Sequence, residues 1–410
     1  MRSATRQMPR PRAPDPERAA KTALTQLDLS DRVRGKRIAV TAGSRGINDI
    51  VPVLRGTIDH LRHLGADPIV VAAMGSHGGA TSDGQRHVLE HLGISEESMG
   101  APISTRMATS VVARTPDGLI GYCDAVAASC DGILVVNRIK PHTAFDEPFG
   151  SGLMKMLSVG LGKAEGAAQI HRQGPAQLAS AIRAIAQLLL DSSMVVAGVA
   201  ILENGYDETA RIEAMLPDQL VERELALYRE AKLTLPRLPV AQLDVLIVDE
   251  MGKTFAGTGM DTNVIGRRRI PGLPEPTSPN IAHIVALRLS PHSEGNAQGI
   301  GLADLTTRRL VDAIDWQVTY KNTITSTFLN RGAIPVTLPS DREAITVALD
   351  ILPGANAALA RVIRIPNTLH LERILVSDAV ADEIAGQSGV DIGPEVPWVF
   401  STDGWLVDLS

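Results

Sequence analysis

The chain has 410 residues, which corresponds to two or three domains at roughly 150 residues each. Apolar residues make up 44% and charged residues 21%, a balance typical of globular proteins that bury a core. A net charge of −6 and an aromatic content of 3% argue against a nucleic-acid-binding protein, which needs a basic surface and base-stacking rings. Two cysteines, Cys123 and Cys130, are too few for a disulfide framework or a Cys-rich zinc cluster, and we expect a reduced, cytoplasmic chain.

The sequence predicts no membrane span and no secretory signal. Its most apolar stretch, residues 179–202, contains Arg183, Gln187 and Asp191, whereas a spanning helix needs about 20 apolar residues almost free of charge. Residues 1–20 are rich in Arg and Pro and lack the apolar run of a signal peptide. We therefore predict a disordered N-terminal tail.

Short apolar runs alternate with amphipathic stretches through the first half of the chain. The runs predict strands at residues 37–41, 68–74, 132–136 and 194–202. The stretches predict helices at residues 50–64, 81–92 and 177–190, the second capped by Thr81 or Ser82. Strands that alternate with helices indicate an α/β domain with a parallel sheet and helices on both faces.

A second α/β domain is predicted after a proline-containing linker at residues 233–240. Strands are expected at residues 243–248, 283–289 and 361–365, and helices at residues 305–314, 341–349 and 377–384. We therefore predict two α/β domains, residues 21–235 and 236–410, each with a parallel-type sheet flanked by helices.

Glycine-rich loops with polar side chains follow four of the predicted strands. These loops are residues 42–46, 75–79, 137–143 and 249–253. In open α/β sheets, ligands bind beyond the carboxyl ends of the strands. Any one of these loops could be an ordinary polar turn, but four together predict a cleft lined with catalytic-type groups.

The segment SGLMKMLSVGLGKAEGAAQIH, residues 151–171, is the most informative part of the chain. It is not a Walker A loop, because Leu157 stands where a glycine is required and no Ser or Thr follows Lys163. It also lacks a dinucleotide-binding fingerprint. Lys155 has two interpretations: a desolvated, nucleophilic lysine, or a lysine whose stem covers the core while its amine reaches solvent.

Three histidines lie in or just after the glycine-rich segments: His77, His142 and His171. This placement favours acid–base chemistry or metal ligation. The sequence contains no His-Glu-x-x-His pairing of the zincin type.

These motifs together resemble the nickel-dependent lactate racemase family. The resemblance lies in residues 137–171, the loop at residues 75–78, and residues 251–267, within a likeness that runs from about residue 35 to about residue 385. It implies two α/β domains with the active site in the cleft between them. It further implies a racemase or epimerase that inverts C2 of a 2-hydroxy acid, with sugar acids among the candidate substrates.

The resemblance also implies a nickel pincer nucleotide, which is a pyridinium-3,5-bisthiocarboxylic acid mononucleotide carrying nickel. Lys155 matches the lysine to which this cofactor is covalently attached, and His171 matches the nickel ligand. Gly43, Ser44 and Arg45 match the region that binds the cofactor phosphate. Cofactor-synthesis enzymes and a small 2-hydroxy acid are then the expected partners, with no nucleic acid and no membrane.

The family's acid–base histidines match His77 and His142, and its mechanism moves a hydride from C2 while a base takes the hydroxyl proton. Lys253 and Arg267 are the expected cations for the substrate carboxylate, with Arg268 as an alternative to Arg267. The chain departs from the lactate-specific members, which carry an acidic residue where Ala42 stands, so the substrate stays open.

Two other functions stay open from the sequence. One is a non-catalytic homologue that binds a small hydroxy acid or a nucleotide without nickel. The other is a nicotinamide-dependent dehydrogenase, which the missing dinucleotide fingerprint opposes.

Overall fold

The computed structural model describes residues 1–44, 46–144, 149–354 and 359–407. The chain forms two compact units. The N-terminal unit is Pro9–Leu235, and the C-terminal unit combines Pro236–Ser410 with Met1–Met8.

The strands have the following bounds: β1 (Arg2–Arg6), β2 (Arg37–Ala42), β3 (Asp67–Ala72), β4 (Ile103–Ser104), β5 (Thr109–Arg114), β6 (Ile120–Asp124), β7 (Gly132–Arg138), β8 (Val195–Glu203), β9 (Thr209–Met215), β10 (Gln242–Met251), β11 (Asn280–Leu289), β12 (Leu305–Thr307), β13 (Val336–Leu338), β14 (Val362–Ile365), β15 (Arg373–Val376) and β16 (Val390–Glu395).

The helices have the following bounds: α1 (Pro16–Thr25), α2 (Ser30–Val33), α3 (Ile50–His63), α4 (Ser82–His91), α5 (Glu96–Met99), α6 (Ala125–Ala128), α7 (Leu153–Lys155), α8 (Lys163–His171), α9 (Leu178–Asp191), α10 (Leu220–Thr234), α11 (Thr262–Ile265), α12 (Arg308–Asp312), α13 (Trp316–Ser326), α14 (Asp341–Asp350) and α15 (Asp378–Ile384). A π-helical turn, Met156–Gly160, follows α7.

The N-terminal unit is built on a six-stranded sheet in the order β4-β3-β2-β7-β8-β9. The first five strands run parallel, and β9 pairs antiparallel with β8. β2, β3, β7 and β8 are buried along almost their whole length, because helices cover both faces of a parallel sheet. The predicted α/β fold class is confirmed, and the carboxyl ends of β3, β2 and β7 lie side by side.

Local sequence signals explain where the helices of this unit begin and end. In α3 the buried residues Val53, Leu54, Ile58 and Leu61 recur at helical spacing and face the core. α4 begins after Thr81, whose hydroxyl accepts a hydrogen bond from Gly84 N at 3.1 Å. This cap matters for the site, because α4 follows directly from the loop that contains His77.

The C-terminal unit is built on an eight-stranded sheet in the order β13-β12-β11-β10-β14-β15-β1-β16. The strands from β13 to β14 run parallel, whereas β15, β1 and β16 pair antiparallel with their neighbours. The parallel part was expected from the sequence, and the antiparallel part was not. Its core packs apolar side chains from β10, β11 and β14 against the helices on one face.

The prediction of a disordered tail at residues 1–20 is wrong. Arg2–Arg6 forms β1, in which Ala4 is opposite Ile374 of β15 and is buried in the C-terminal core. α1 begins at Pro16 after Asp15, whose carboxylate accepts a hydrogen bond from Arg18 N at 3.0 Å. The Arg- and Pro-rich composition concealed a strand that forms only by pairing with distant residues.

The predicted helix at residues 305–314 is only partly correct. Leu305–Thr307 forms β12, which pairs parallel with β11, and α12 begins afterwards. Thr307 caps α12, because its hydroxyl accepts a hydrogen bond from Leu310 N at 3.2 Å. Across the described residues, we find no helix with the length and apolar character that membrane crossing requires.

Candidate active site

Three loops meet at the carboxyl edge of the N-terminal sheet. Ala42 at the end of β2 is opposite Ala72 at the end of β3, and β7 pairs with β2 on its other side. The loops after these strands contain the residues predicted to bind cofactor and to transfer protons. This edge is where ligands bind in open α/β sheets.

The structure brings Ser44 and His77 into direct contact. Ser44 Oγ and His77 Nδ1 lie 2.5 Å apart, although the residues come from different loops. Either atom can be the donor, depending on the tautomer of the imidazole. When Nδ1 carries the proton and donates it to Ser44, Nε2 is left with a lone pair that can accept a proton.

The segment that contains Lys155 crosses these same loops. A Cβ built on Gly43 would lie 3.0 Å from Met156 Cε, so a side chain at position 43 would crowd the residue next to Lys155. Asn137 Nδ2 donates a hydrogen bond to Gly152 O at 2.9 Å. Lys155 ends α7 and is half-buried.

The helical segment from Lys155 to His171 is interrupted, and this break determines how close its two halves lie. Sixteen residues of straight α-helix, at about 1.5 Å per residue, would hold Lys155 about 24 Å from His171. Instead, Lys163 has a φ of 51°, in the left-handed region, and the helix is interrupted there. Val159 O and Ala167 Cβ consequently both approach the same glycine, Gly75, at 3.2 Å and 3.4 Å from the position of a Cβ. α8 therefore folds back toward the loop that contains His77.

His171, the predicted metal ligand, and His142, the second predicted base, lie on different elements of the N-terminal unit. His171 is the last residue of α8 and is half-buried. His142 follows β7, and its Nδ1 accepts a hydrogen bond from Ala144 N at 3.0 Å. The neutral His142 imidazole therefore carries its proton on Nε2 and can donate it.

Arg45, which was predicted to bind the cofactor phosphate, lies outside the described residues. The described residues that follow it, Gly46 and Asn48, contact an ion pair between half-buried Arg138 and buried Glu203. Arg138 Nη1 also donates to Gly46 O at 3.3 Å, and Asn48 N donates to Glu203 Oε1 at 3.3 Å. Burial raises the pKa of Glu203, an effect that the adjacent guanidinium opposes.

Glu224 is a functional candidate that the sequence reasoning missed. It is buried on α10, and its Oε2 accepts a hydrogen bond from Met154 N at 2.9 Å, at the start of α7. Burial raises the pKa of Glu224 to about 7. A Cβ on Gly152 would lie 2.2 Å from Glu224 Oε1, so a larger residue there would displace the carboxyl from its present position. The sequence signal that could have identified Glu224 is an acidic residue among the apolar positions that form the buried face of α10.

In the C-terminal unit, the structure separates the two cations predicted to bind carboxylate. Lys253 follows β10, and its ammonium donates to Gly257 O at 2.7 Å. Arg267 instead forms an ion pair with Asp304 at 2.5 Å and donates to Ile281 O at 2.9 Å, near the start of β11. At about 3.3 Å per residue, the length of β11 places the Arg267 contact about 25 Å from the carboxyl edge.

The expectation that Arg267 binds the substrate carboxylate beside Lys253 is therefore corrected. Asp304 neutralises its guanidinium at the amino edge of the C-terminal sheet. Arg269 makes a second ion pair with the same carboxylate at 2.5 Å. Both arginines therefore contact groups at the amino edge of this sheet, whereas Lys253 follows the carboxyl end of β10.

Comparison with known proteins identifies the fold. No protein-family model and no curated protein matches the chain. The structure of the lactate racemase apoprotein from Thermoanaerobacterium thermosaccharolyticum matches with a TM-score of 0.58 and 13% identity, over 90% of this chain and 99% of that one. The crystal structure of a protein from Thermotoga maritima matches with a TM-score of 0.52 and 13% identity, over 79% of this chain and 84% of that one. The chain therefore has a lactate racemase-like fold, and the resemblance stated from the sequence is confirmed at the level of the fold.

Proposed function

We propose that this protein is a 2-hydroxyacid racemase or epimerase that uses a nickel pincer nucleotide. One observation supports the proposal above all. In a chain with a lactate racemase-like fold, the Ser44–His77 pair lies at the carboxyl edge of the sheet. The helical segment that contains Lys155 and His171 folds against the loops of that same edge.

The residues at this edge fit the proposed cofactor. Lys155 is a half-buried residue that would supply the amine for covalent attachment, and an imidazole such as His171 is a suitable ligand for Ni(II). Gly43 and the Ser44 hydroxyl fit a phosphate group, since a loop without bulky side chains exposes its backbone amides. When bound, the cofactor would accept a hydride from C2 and return it to either face.

The remaining chemistry falls to two histidines. The hydroxyl proton must be taken up from one stereoisomer and returned to the other, so the reaction needs a base and an acid on different sides. His77, with Nδ1–H donated to Ser44, offers a basic Nε2. His142, with Nδ1 accepting from Ala144 N, offers Nε2–H. Imidazoles suit this exchange of roles because they titrate near neutral pH.

Production of the chain together with cofactor-synthesis enzymes tests the cofactor. We expect stoichiometric nickel and a mass adduct on the peptide that contains Lys155. Lys155→Ala should lose the adduct, whereas Lys36→Ala, at the opposite edge of the sheet, should keep it. Protein without nickel and with unmodified Lys155 would overturn the proposal in favour of a non-catalytic binding protein.

The nickel-loaded protein is then assayed in D₂O against short aliphatic 2-hydroxy acids, malate-like diacids and sugar acids, with products resolved by chiral chromatography. We expect inversion at C2 with the C2 hydrogen retained, because a transferred hydride does not exchange with solvent. Deuterium at C2 would indicate proton abstraction instead and would contradict the proposed chemistry. Lys253 stays a predicted carboxylate-binding residue, for which Lys253→Met should raise KM.

A further inference from the structure

Lys163 is a fully buried lysine in the N-terminal unit for which the proposed reaction has no use. Its ammonium donates a hydrogen bond to Ala72 O at 2.5 Å, at the end of β3, and another to Gln85 Oε1 at 3.2 Å. Asp124 Oδ2 lies 3.0 Å from Nζ as an ion pair without hydrogen-bond geometry. Inside the core, the ammonium therefore has two hydrogen-bond acceptors and one carboxylate that balances its charge.

The backbone of Lys163 is bent to allow this burial. Its φ of 51° lies in the left-handed region, which a residue other than glycine rarely adopts. Such a conformation persists only where the surrounding structure requires it, and it is common near functional sites. Here it interrupts the helical segment and directs the side chain of Lys163 inward.

Gln85 on α4 connects this ammonium to the loop that contains His77. Gln85 is completely buried, and its Nε2 donates to Gly75 O at 2.9 Å and to His77 O at 3.3 Å. The ammonium has no acceptor, so it can face only the oxygen of the Gln85 amide. Lys163 therefore determines which way the amide points, and the NH₂ group must face the two carbonyls.

Asp124, the carboxylate that pairs with Lys163, is itself held in place by backbone hydrogen bonds. Asp124 Oδ1 accepts hydrogen bonds from Val126 N at 2.8 Å and from Ala127 N at 2.9 Å, which caps α6. A charged pair so enclosed is retained only when both partners are held in place. The hydrogen-bond network therefore runs from the Asp124–Lys163 ion pair, which is fixed, through Gln85 to the backbone carbonyl of His77 at the site.

We propose that Lys163 and Gln85 are positioning residues that hold the His77 loop so that the imidazole contacts Ser44. Lys163 orients the Gln85 amide, and Gln85 binds the two carbonyls on either side of Ser76. The inference rests on the proposed function for its catalytic consequence. The placement of His77 can be measured without it.

The test begins with the apoprotein, without nickel, cofactor or substrate. Gln85→Met keeps the length of the side chain but removes its amide. We expect the ¹⁵N signals of the His77 ring to move toward those of a free imidazole, and amide hydrogen exchange at residues 75–80 to speed up. Gln187→Met makes the same change at an exposed position on α9 and should leave both readouts as in the wild type.

If Gln85→Met does not fold, two further variants test the same inference. Gln85→Glu keeps the size of the side chain but faces the carbonyls with an acceptor, so the same changes at His77 are expected. Lys163→Met combined with Asp124→Asn removes the orienting ammonium without leaving a buried charge alone, and it should give the same signature. Unchanged His77 signals in either folded variant would overturn the inference.

The loaded enzyme supplies the functional readout. Displacing a catalytic group by about 1 Å costs about 100-fold in rate, so Gln85→Met should lower kcat by that order and leave nickel content and KM nearly unchanged. Equal loss of nickel and activity would indicate a merely structural role and overturn the inference. If the wild type proves inactive, the proposed function fails, and the apoprotein signals still decide the placement of His77.

Discussion

Glu224 should make the stability of the protein depend on pH in a way that one substitution removes. Its pKa is raised from 4.5 to about 7 by burial, so the folded state favours the protonated carboxyl. Between these two values the unfolded chain has already lost the proton that the folded chain keeps. Stability from this group is therefore complete below about pH 4.5 and is lost as the pH rises to about 7.

The size of this effect follows from the pKa values. At roughly 1.4 kcal/mol for each tenfold change in proton affinity, the rise from 4.5 to about 7 corresponds to about 3 kcal/mol of unfolding free energy. Glu224→Gln keeps the shape of the side chain and cannot ionise. The difference in unfolding free energy between wild type and variant should therefore shift by about 3 kcal/mol in favour of the variant from pH 4.5 to pH 8.

Urea denaturation of both proteins across this pH range measures the difference. Glu222→Gln, an exposed position on the same helix, is the matched control and should show no such shift. Parallel stability curves for the wild type and Glu224→Gln would refute the reasoning. That result would mean that solvent reaches the carboxyl, or that the Gly152–Met154 turn moves away from it.

Three further predictions concern the site and the core. His171→Ala should lose nickel and keep the fold, by metal analysis and circular dichroism; retained nickel would assign the metal to another residue. His77→Ala should keep the cofactor but lose about 10²–10⁴-fold in kcat, as expected for an acid–base group; wild-type turnover would exclude it as a base. Asp249→Asn breaks the buried ion pair with Arg364, whose Nε–Oδ1 distance is 2.7 Å, and should cost about 3–5 kcal/mol in urea denaturation. A loss below about 1 kcal/mol would show that the pair behaves like an exposed one.

The fold was predictable where its signals are local. The strands β2, β3 and β7 were located to within a few residues, because a strand buried on both faces is a continuous apolar run. β1 was missed because its pairing with β15 joins Ala4 to Ile374. The two partners are too far apart in the sequence for any local pattern to reveal their pairing. Only the composition of the N-terminal residues was therefore available for prediction.

The candidate site was predictable at the level of residue types and loops. Ser44 and His77 were each identified from a loop after a strand, but their contact depends on the order β3-β2-β7 in the sheet. Arg267 was assigned to the wrong role because a guanidinium suits a structural carboxylate as well as a substrate. Its choice of Asp304 follows from the packing of the C-terminal unit.

Strands, helix caps and glycine-rich loops depend on interactions within a few residues, and these are written directly in the order of the amino acids. The network around Lys163 depends on a different kind of information. Lys163 meets Gln85 across 78 positions of the chain, and Arg364 meets Asp249 across 115. Burial removes the water that would otherwise solvate these groups, so each must find a partner inside the protein. Which partner it finds is settled by the packing of the sheet and its helices, and that packing exists only in the folded chain.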